Sequence, residues 1–548
     1  MKNKKNRLHT FLPLMFAAVL VTGIYMGSRM GGITGKVFHA ESRRGQFNKL
    51  SELLNYIENE YVDTISEKML MDHTIESLLG NLDPHSAYIP AEELQAMNEP
   101  LEGNFEGIGV EFHIQNDTIM VVTPVSGGPS EALGIQSGDK IVRIEGKNVA
   151  GIGITNNEVM QKLRGPGGTK VKISIRRTGI SRLIDYTIVR GKIPIYSVDV
   201  AYMAGPGIGY VKISRFASNT YDEFMQAYGK LRNQGMKKLV IDLRGNPGGY
   251  LNAATELADE FLDDRKIIVY TEGKARPRET YVAEKQGAFE KGELAVLIDE
   301  GSASASEILA GALQDWDRAW VIGRRSFGKG LVQEQTVFPD GSAVRLTIAR
   351  YYTPTGRSIQ KSYKDGIDAY NSELSERFNS GELEHPDSVR FADTLKYKTP
   401  GGRIVYGGGG IMPDVFVPLD TTGSSSYLNG LFRKGILSSF VYDYTSRNRN
   451  ALSQYKTAET FIRQVEVNDG MIREMIAYAE RSGVPFEARG FARSSEIIRT
   501  QLKALLARQF FKNEGFYPVI NASDQAFMKA LKMLQEGRMI AQKPRKQS

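Results

Sequence analysis

The sequence predicts a multidomain α/β protein: a core built on a parallel sheet, a separate module ahead of it, and a helical C-terminal extension. Three observations predict this. The apolar run Leu294-Ala295-Val296-Leu297-Ile298, the small-residue stretch Gly301-Ser302-Ala303-Ser304-Ala305-Ser306-Glu307 and the apolar start Ile308-Leu309-Ala310-Gly311-Ala312-Leu313 read as buried strand, turn and buried helix. The runs Lys238–Leu243 and Trp320–Gly323 read as further strands, and each leads into a loop containing glycines. Beyond residue 424 the apolar residues recur at helical spacing. Ligands of open α/β sheets bind at the carboxyl edge, where such loops emerge, so the 301–307 turn is the candidate site.

With 548 residues there is room for several domains, and a hydrophobic share of 41% with 24% charged residues suits a globular protein. The net charge of +7 is modest for this length and its basic residues gather at the two ends; with no nucleic-acid motif, nucleic acid is not an expected partner. The chain has no cysteine, which excludes disulfides, a thiol nucleophile, thiolate metal sites and a lipidated N-terminal cysteine. No HExxH occurs, and neither metal nor cofactor is expected. Lys2, Lys4, Lys5 and Arg7 precede an uncharged, mainly apolar run from Phe11 to Met26. That run is long for a cleaved h-region and short for a comfortable span, and Gly27-Ser28-Arg29 is a poor cleavage site. Residues 1–30 therefore read as a signal anchor, with a cleaved signal peptide as the alternative. Either way the body is exported, to the periplasmic side of an inner membrane, with the basic flank left in the cytoplasm.

Residues 31–102 form an N-terminal helical region. Phe47, Leu50, Leu54, Ile57 and Tyr61 recur at helical spacing, a second helix lies near Met69 to Leu79, and Leu82-Asp83-Pro84-His85-Ser86-Ala87-Tyr88 reads as a turn in which His85 makes a local contact. In 103–190, Gly107-Ile108-Gly109-Val110 opens a strand, and Thr155 to Leu163 reads as a helix on which Val159 and Leu163 share a face. In 191–420, Gly209–Ile213 and Lys238–Leu243 are strands, and Arg244-Gly245-Asn246-Pro247-Gly248-Gly249 follows the second. Glycines there let backbone amides approach a substrate closely. Residues 361–405 are polar and read as a surface insertion. Residues 421–548 carry helical segments near Leu431–Tyr444, Thr457–Val465, Met471–Arg481 and Ser494–Phe511.

Taken alone, the serines of 301–307 read as helix caps, with Glu307 closing a capping box from Ser304. Other serine chemistries lack their parts. None of the six histidines falls in the core motifs, no GxSxG occurs, and Ser304 has no lysine three residues on. Gly323-Arg324-Arg325-Ser326-Phe327-Gly328-Lys329-Gly330 approaches a phosphate loop, but position 330 lacks the hydroxyl and a strand pattern follows where a helix is needed.

Five ordered segments decide the matter: DLRGNPGG at 242–249, GSASASEILAGAL at 301–313, FGKGLVQ at 327–333, RYYTPTGRSIQ at 350–360 and GGIMPD at 409–414. Together they resemble the carboxyl-terminal processing peptidases (tail-specific proteases, the S41 serine peptidases) over roughly residues 44 to 418. The resemblance implies a crotonase/ClpP-like α/β protease core with an inserted PDZ domain at 103–190. It implies Ser304 as nucleophile, Lys329 as general base and Gln333 as the residue orienting the lysine. The first oxyanion donor is then the amide of Gly248 or Gly249 and the second that of Ala305. Gly107, Ile108, Gly109 and Val110 resemble the PDZ carboxylate loop, whose amides take a peptide's terminal carboxylate while the strand edge pairs with its backbone. Val159 and Leu163 either line the pocket for the last side chain or pack inside the module, and Arg164 either carries occupancy to the core or is a cation at the C-terminus of its helix.

The expected activity is a serine endopeptidase with a Ser-Lys dyad that cleaves exported proteins near their C-termini. Lys329 must be neutral to accept the Ser304 proton, which burial among Phe327, Leu331 and Val332 favours, and Gln333 directs the amine without adding negative charge. Expected partners are protein or peptide substrates bound through their C-termini, the membrane through residues 1–30, and a second copy of the chain or an adaptor protein. The competing readings are a catalytically silent PDZ scaffold that binds C-terminal peptides and a crotonase-like enzyme acting on thioesters.

Overall fold

The computed structural model describes residues 44–537 apart from 264, 386–387 and 389–392, so the expected signal anchor lies outside the described residues. The chain divides into two compact units, residues 1–77 and 78–548. The first holds α1 (Arg44–Glu60) and most of α2 (Glu67–Gly80).

In the second unit the 82–88 turn continues into a short strand, β1 (Ala87–Ile89), followed by α3 (Ala91–Glu102). The β-rich module is entered through β2 (Asn104–Gly107) and contains β3 (Val110–Gln115), β4 (Thr118–Pro124), α4 (Pro129–Ala132), β5 (Lys140–Ile144), β6 (Lys147–Asn148), α5 (Asn156–Leu163), β7 (Lys170–Arg176) and β8 (Ile184–Val189). It is left through β9 (Gly191–Pro194), which pairs antiparallel with β2, so entry and exit are tied together. The module's sheet runs β3-β4-β5-β7-β8, with β6 on β5, and β3 is an edge strand. Thr155 caps α5 in a full capping box with Glu158.

The core carries β10 (Val198–Gly205), β11 (Ile208–Ile213), α6 (Thr220–Asn233), β12 (Lys238–Asp242), α7 (Leu251–Asp259), β13 (Ile267–Glu272), β14 (Glu279–Val282), β15 (Leu294–Ile298), α8 (Ala305–Asp315), β16 (Trp320–Gly323), β17 (Leu331–Val337) and β18 (Ala343–Tyr352). There follow α9 (Ile367–Asn379), β19 (Lys396–Lys398), β20 (Ile404–Tyr406) and β21 (Val415–Phe416). The main sheet has the order β10-β11-β12-β15-β16-β21, parallel from β11 onward. Every residue of β11 and β15 is buried, as expected of central parallel strands covered on both faces. Because β12, β15 and β16 are adjacent and parallel, the loops after all three emerge at one edge, and these loops carry the 244–249, 301–304 and 324–330 segments. A second, antiparallel sheet, β1-β18-β13-β14 with β17 on β18, stands beside that edge.

The helical extension consists of α10 (Ser426–Arg433), α11 (Ile436–Arg447), α12 (Arg449–Leu452), α13 (Ala458–Gln464), α14 (Asp469–Arg481), α15 (Ala488–Asn521) and α16 (Gln525–Gln535). The helix expected over 431–444 is two helices, divided where Gly435 takes a left-handed conformation. The long α15 breaks at Lys512 (φ 50°, ψ −139°). Before that break the helices enclose their own apolar core around Leu431, Phe440, Phe461, Met475 and Leu502. After it, Phe527, Ala530 and Leu534 of α16 pack on Tyr210, Val240 and Leu297, so α16 is a layer on the main sheet. The outward side chains of β3 meet the extension: Gln115 Nε2 donates to Tyr478 Oη (2.9 Å) and Arg508 pairs with Glu111 (3.3 Å).

Candidate active site

A cavity of about 520 Å³ opens at the carboxyl edge of the main sheet, walled by residues of α3, the 247–251 segment, the start of α8, and β17 and β18. Ser304, Lys329, Gln333, Gly248, Gly249 and Ala305 all line it. Ser304 is the N-cap of α8 and sits at φ 54°, ψ −114°, a conformation an L-residue adopts only when its surroundings impose it, at a cost of about 1–3 kcal/mol. Its neighbours point elsewhere. Ser302 Oγ donates to Leu243 O (2.8 Å) and Ser306 Oγ to Asn246 O (3.0 Å), both buried and both tying the serine turn to the loop after β12. Of the three serines, Ser304 is the one that faces the cavity.

Lys329 enters from the loop between β16 and β17. Its Nζ donates to Gln333 Oε1 (2.8 Å), and Gln333 Nε2 in turn donates to His85 O. Burial holds the lysine below its ordinary value, Arg345 adds to this by repulsion, and the Asp83 and Glu307 carboxylates oppose it. Tyr351 Oη lies between the two segments, donating to Lys329 O (2.5 Å) and Ser304 O (3.0 Å).

The hub of the arrangement is Glu307, which sequence reasoning treats as a cap only. It is wholly buried. Its carboxylate accepts from Ser304 N (2.8 Å), Ser326 Oγ (2.5 Å), Gly328 N (2.7 Å) and Lys329 N (2.9 Å), joining the serine turn to the lysine loop. Burial pushes it up to about 7 against those four donors. A glutamate three residues after a serine is the only sequence signal for it, and that signal reads equally as an ordinary capping box.

The glycine pair divides its duties. Gly248 (φ 96°) lies so close to the serine turn that a Cβ would stand 2.7 Å from Ser304 Cβ and 2.9 Å from Ala305 N. Its own N–H is taken by Asn246 Oδ1 (2.8 Å), which corrects the expectation that this amide is available to substrate. At Gly249 (φ 147°) a Cβ would collide with Phe216 O at 1.9 Å. Among the described residues no acceptor meets the amides of Gly249 and Ala305.

The 361–405 segment is more than a surface insertion. Arg377 of α9 is buried and donates to Arg325 O (2.7 Å) and Ser326 O (3.2 Å), while Arg325 and Arg377 share Glu382 (2.6 and 2.8 Å). This network backs the loop that presents Lys329. His85, expected to make a local turn contact, also bonds through Nε2 to Tyr370 of α9 (2.7 Å). Burial and the nearby Lys329 push it down to about 4, so it is uncharged at neutral pH.

In the β-rich module, the carbonyl of Ile108 accepts from Ser130 N (3.1 Å) and Ser130 Oγ (2.6 Å), and that of Gly109 from Val125 N (3.0 Å), which fixes the peptide planes of the Gly107–Val110 loop. Val159 and Leu163 are buried in the module's apolar core, so packing accounts for both. Arg164, the C-cap of α5, pairs with Glu99 of α3 (2.5 Å) and lies over the Phe105 ring (4.7 Å), so the residue that ends its helix also ties the module to α3.

Comparison with known proteins places these features. Peptidase family S41 matches residues 207–369, a PDZ domain matches 120–177, and a family of unknown function (DUF8443) matches 427–512, ending at the break in α15. The carboxy-terminal processing protease CtpA of Bacillus subtilis is 34% identical over 353 residues, covering 63% of this chain and 75% of that one. A carboxy-terminal-processing protease of Bartonella bacilliformis is 37% identical over 319 residues (58% and 73%), and CtpB of Bacillus subtilis is 30% identical over 434 (78% and 86%). Among solved structures, a photosystem II D1 C-terminal processing protease is 28% identical, covering 68% of this chain and 86% of that one, with a TM-score of 0.36. The chain belongs to the carboxy-terminal processing proteases of peptidase family S41 and is a serine-type peptidase that carries a PDZ domain.

Proposed function

We propose that the chain cleaves exported proteins near their C-termini with a Ser304–Lys329 dyad. The observation that carries this is a half-buried lysine whose amine has an amide oxygen as its partner, in the same cavity as a serine held in a strained helix-capping turn. Neutral Lys329 Nζ takes the proton of Ser304 Oγ as the oxygen attacks the scissile carbonyl. The amides of Gly249 and Ala305 receive the oxyanion, and the ammonium returns its proton to the leaving amine. Water then attacks the acyl-enzyme, giving up a proton to Lys329, which passes it to the departing Ser304 Oγ and is neutral again. Gln333, anchored on His85 O, keeps the amine aimed without contributing a charge.

The Gly107–Val110 loop and the edge of β3 take the substrate's C-terminal carboxylate and backbone, and Arg164 relays that occupancy through Glu99. Residues 1–30 direct the body across the membrane and hold it there. The test is terminal-peptide proteomics on cells carrying wild type, Ser304→Ala or Lys329→Ala. New C-termini of exported proteins are expected in wild type and absent in both variants. Ser304→Ala retaining wild-type cleavage would refute the dyad.

A further inference from the structure

Resting on the dyad just proposed, we propose that Arg345 is a positioning residue for catalysis: an un-neutralised guanidinium in the wall of the catalytic cavity that keeps Lys329 in its uncharged form.

The pairing of strands places it there. Gln335 of β17 stands opposite Arg345 of β18, and Gln333 opposite Thr347, so Gln333, Gln335, Arg345 and Thr347 share one face of the antiparallel sheet. Gln333, Gln335 and Arg345 line the cavity together with Lys329. Arg345 Nη2 donates to Gln335 Oε1 (2.9 Å) and to Asn98 Oδ1 of α3 (3.3 Å). Both acceptors are amides, which fix the guanidinium without cancelling its charge. Among the described residues no carboxylate stands within ion-pair distance of Arg345.

The acids that surround the pair are engaged elsewhere. Asp83 accepts from His85 N (2.8 Å), Ser86 N (2.9 Å), Ser86 Oγ (2.6 Å) and Thr347 Oγ1 (3.1 Å), and Glu307 from its four donors. Glu99 is held by Arg164, and Glu334 by Arg276. Glu102, the one acid among the residues lining the cavity, is solvent-exposed. His85 is uncharged. Arg345 is thus the repulsive charge that Lys329 feels, added to its burial and opposed by Asp83 and Glu307. An arginine serves here because it cannot give up its own proton.

The experiment follows phosphonylation of Ser304 by a fluorophosphonate probe, with fluoride as the leaving group, from pH 5 to 10 in full-length wild type, Arg345→Gln, Arg345→Lys and Lys329→Ala. Arg345→Gln is expected to raise the midpoint by on the order of one pH unit, leaving the rate about tenfold lower below the midpoint and unchanged on the alkaline plateau. Arg345→Lys should keep the wild-type midpoint. A loss of equal size at every pH with the midpoint unmoved would make Arg345 a structural tie only and overturn the proposal. Gln335→Glu supplies a second variant should Arg345→Gln fold poorly. It sets a carboxylate against the intact guanidinium and should raise the midpoint as well, and an unmoved midpoint in that folded variant also overturns the proposal. A wild-type rate flat with pH, or full reactivity in Lys329→Ala, would instead remove the dyad and this role with it.

Discussion

Two cavities of similar size lie along the carboxyl edge of the main sheet, about 520 and 480 Å³, and both are lined by charged side chains. In the second, between the core and the extension, each buried charge has an opposite partner. The Arg244 guanidinium grips both oxygens of Asp242 (2.6 and 3.0 Å) and reaches Asp524 (2.7 Å), while Lys212 adds a third cation contact to Asp242 (3.2 Å). Burial opposes the Asp242 charge, yet Arg244 and Lys212 overcome it and hold the carboxyl well below its usual range. In the catalytic cavity, Lys329 and Arg345 are both held by amide oxygens. The contrast separates two uses of buried charge. Paired, it locks segments together and resists titration. Left with neutral acceptors, it is costly, and that cost favours the uncharged lysine that the proposed dyad requires.

The largest effect expected from this contrast is on stability. Arg244→Ala leaves Asp242 buried with Lys212 as its remaining cation beside the Tyr210 hydroxyl, and strips Asp524 of its cationic partner. Breaking a buried pair from one side costs about 3–5 kcal/mol, so urea unfolding should show a loss of that order. Arg345→Gln, which deserts no carboxylate, should cost far less in the same assay. Equal losses in the two variants would erase the distinction between the cavities.

The second prediction turns one cavity into the other. Gln333→Glu places a carboxylate against Lys329 and so favours the ammonium. In the proposed dyad the neutral amine is the active form, so activity is present above the lysine's midpoint and lost below it, and a raised midpoint removes activity at neutral pH. A shift of about one to two pH units is expected, ten- to a hundredfold in kcat/KM near pH 7 with recovery at alkaline pH. A variant equally impaired at every pH would show that Gln333 matters for aim alone.

The sequence carried the fold class and the segments that meet at the site, because both are local patterns. A strand, a small-residue turn and a helix can be read from 294–313 without knowing what lies beside them. What escaped depends on which loop meets which across the sheet edge. His85 O and Gln333 are 248 residues apart in sequence, and Glu307 meets Gly328 and Lys329 across more than twenty. The same holds for the commitment of the Gly248 amide to Asn246, which only the turn's geometry reveals. Likewise α16 falls in the stretch that reads only as part of a helical extension, yet its apolar face covers Tyr210, Val240 and Leu297 of the core sheet. Arg345 gave no signal at all, since a lone arginine in an alternating strand looks like an exposed residue.

The smallest effect concerns how the PDZ domain reports to the cavity through α3. Helix α3 carries Glu99, held by Arg164 of the PDZ domain, and beside it Asn98, whose Oδ1 receives Arg345. A peptide in the PDZ groove that moved Arg164 would therefore bear on a helix that walls the catalytic cavity. The Arg164 side chain is 37% exposed, so screening reduces the pair to about 1 kcal/mol, roughly fivefold. The measurement pairs two peptides, identical except for a free or an amidated C-terminus. Wild type should prefer the free terminus, because amidation removes the charge that the Gly107–Val110 amides are proposed to receive. In Arg164→Ala that preference in kcat should shrink by about fivefold, while binding of the free peptide to the PDZ domain is unchanged. Were binding and cleavage to fall together, Arg164 would belong to the groove itself and the path through Glu99 would carry nothing.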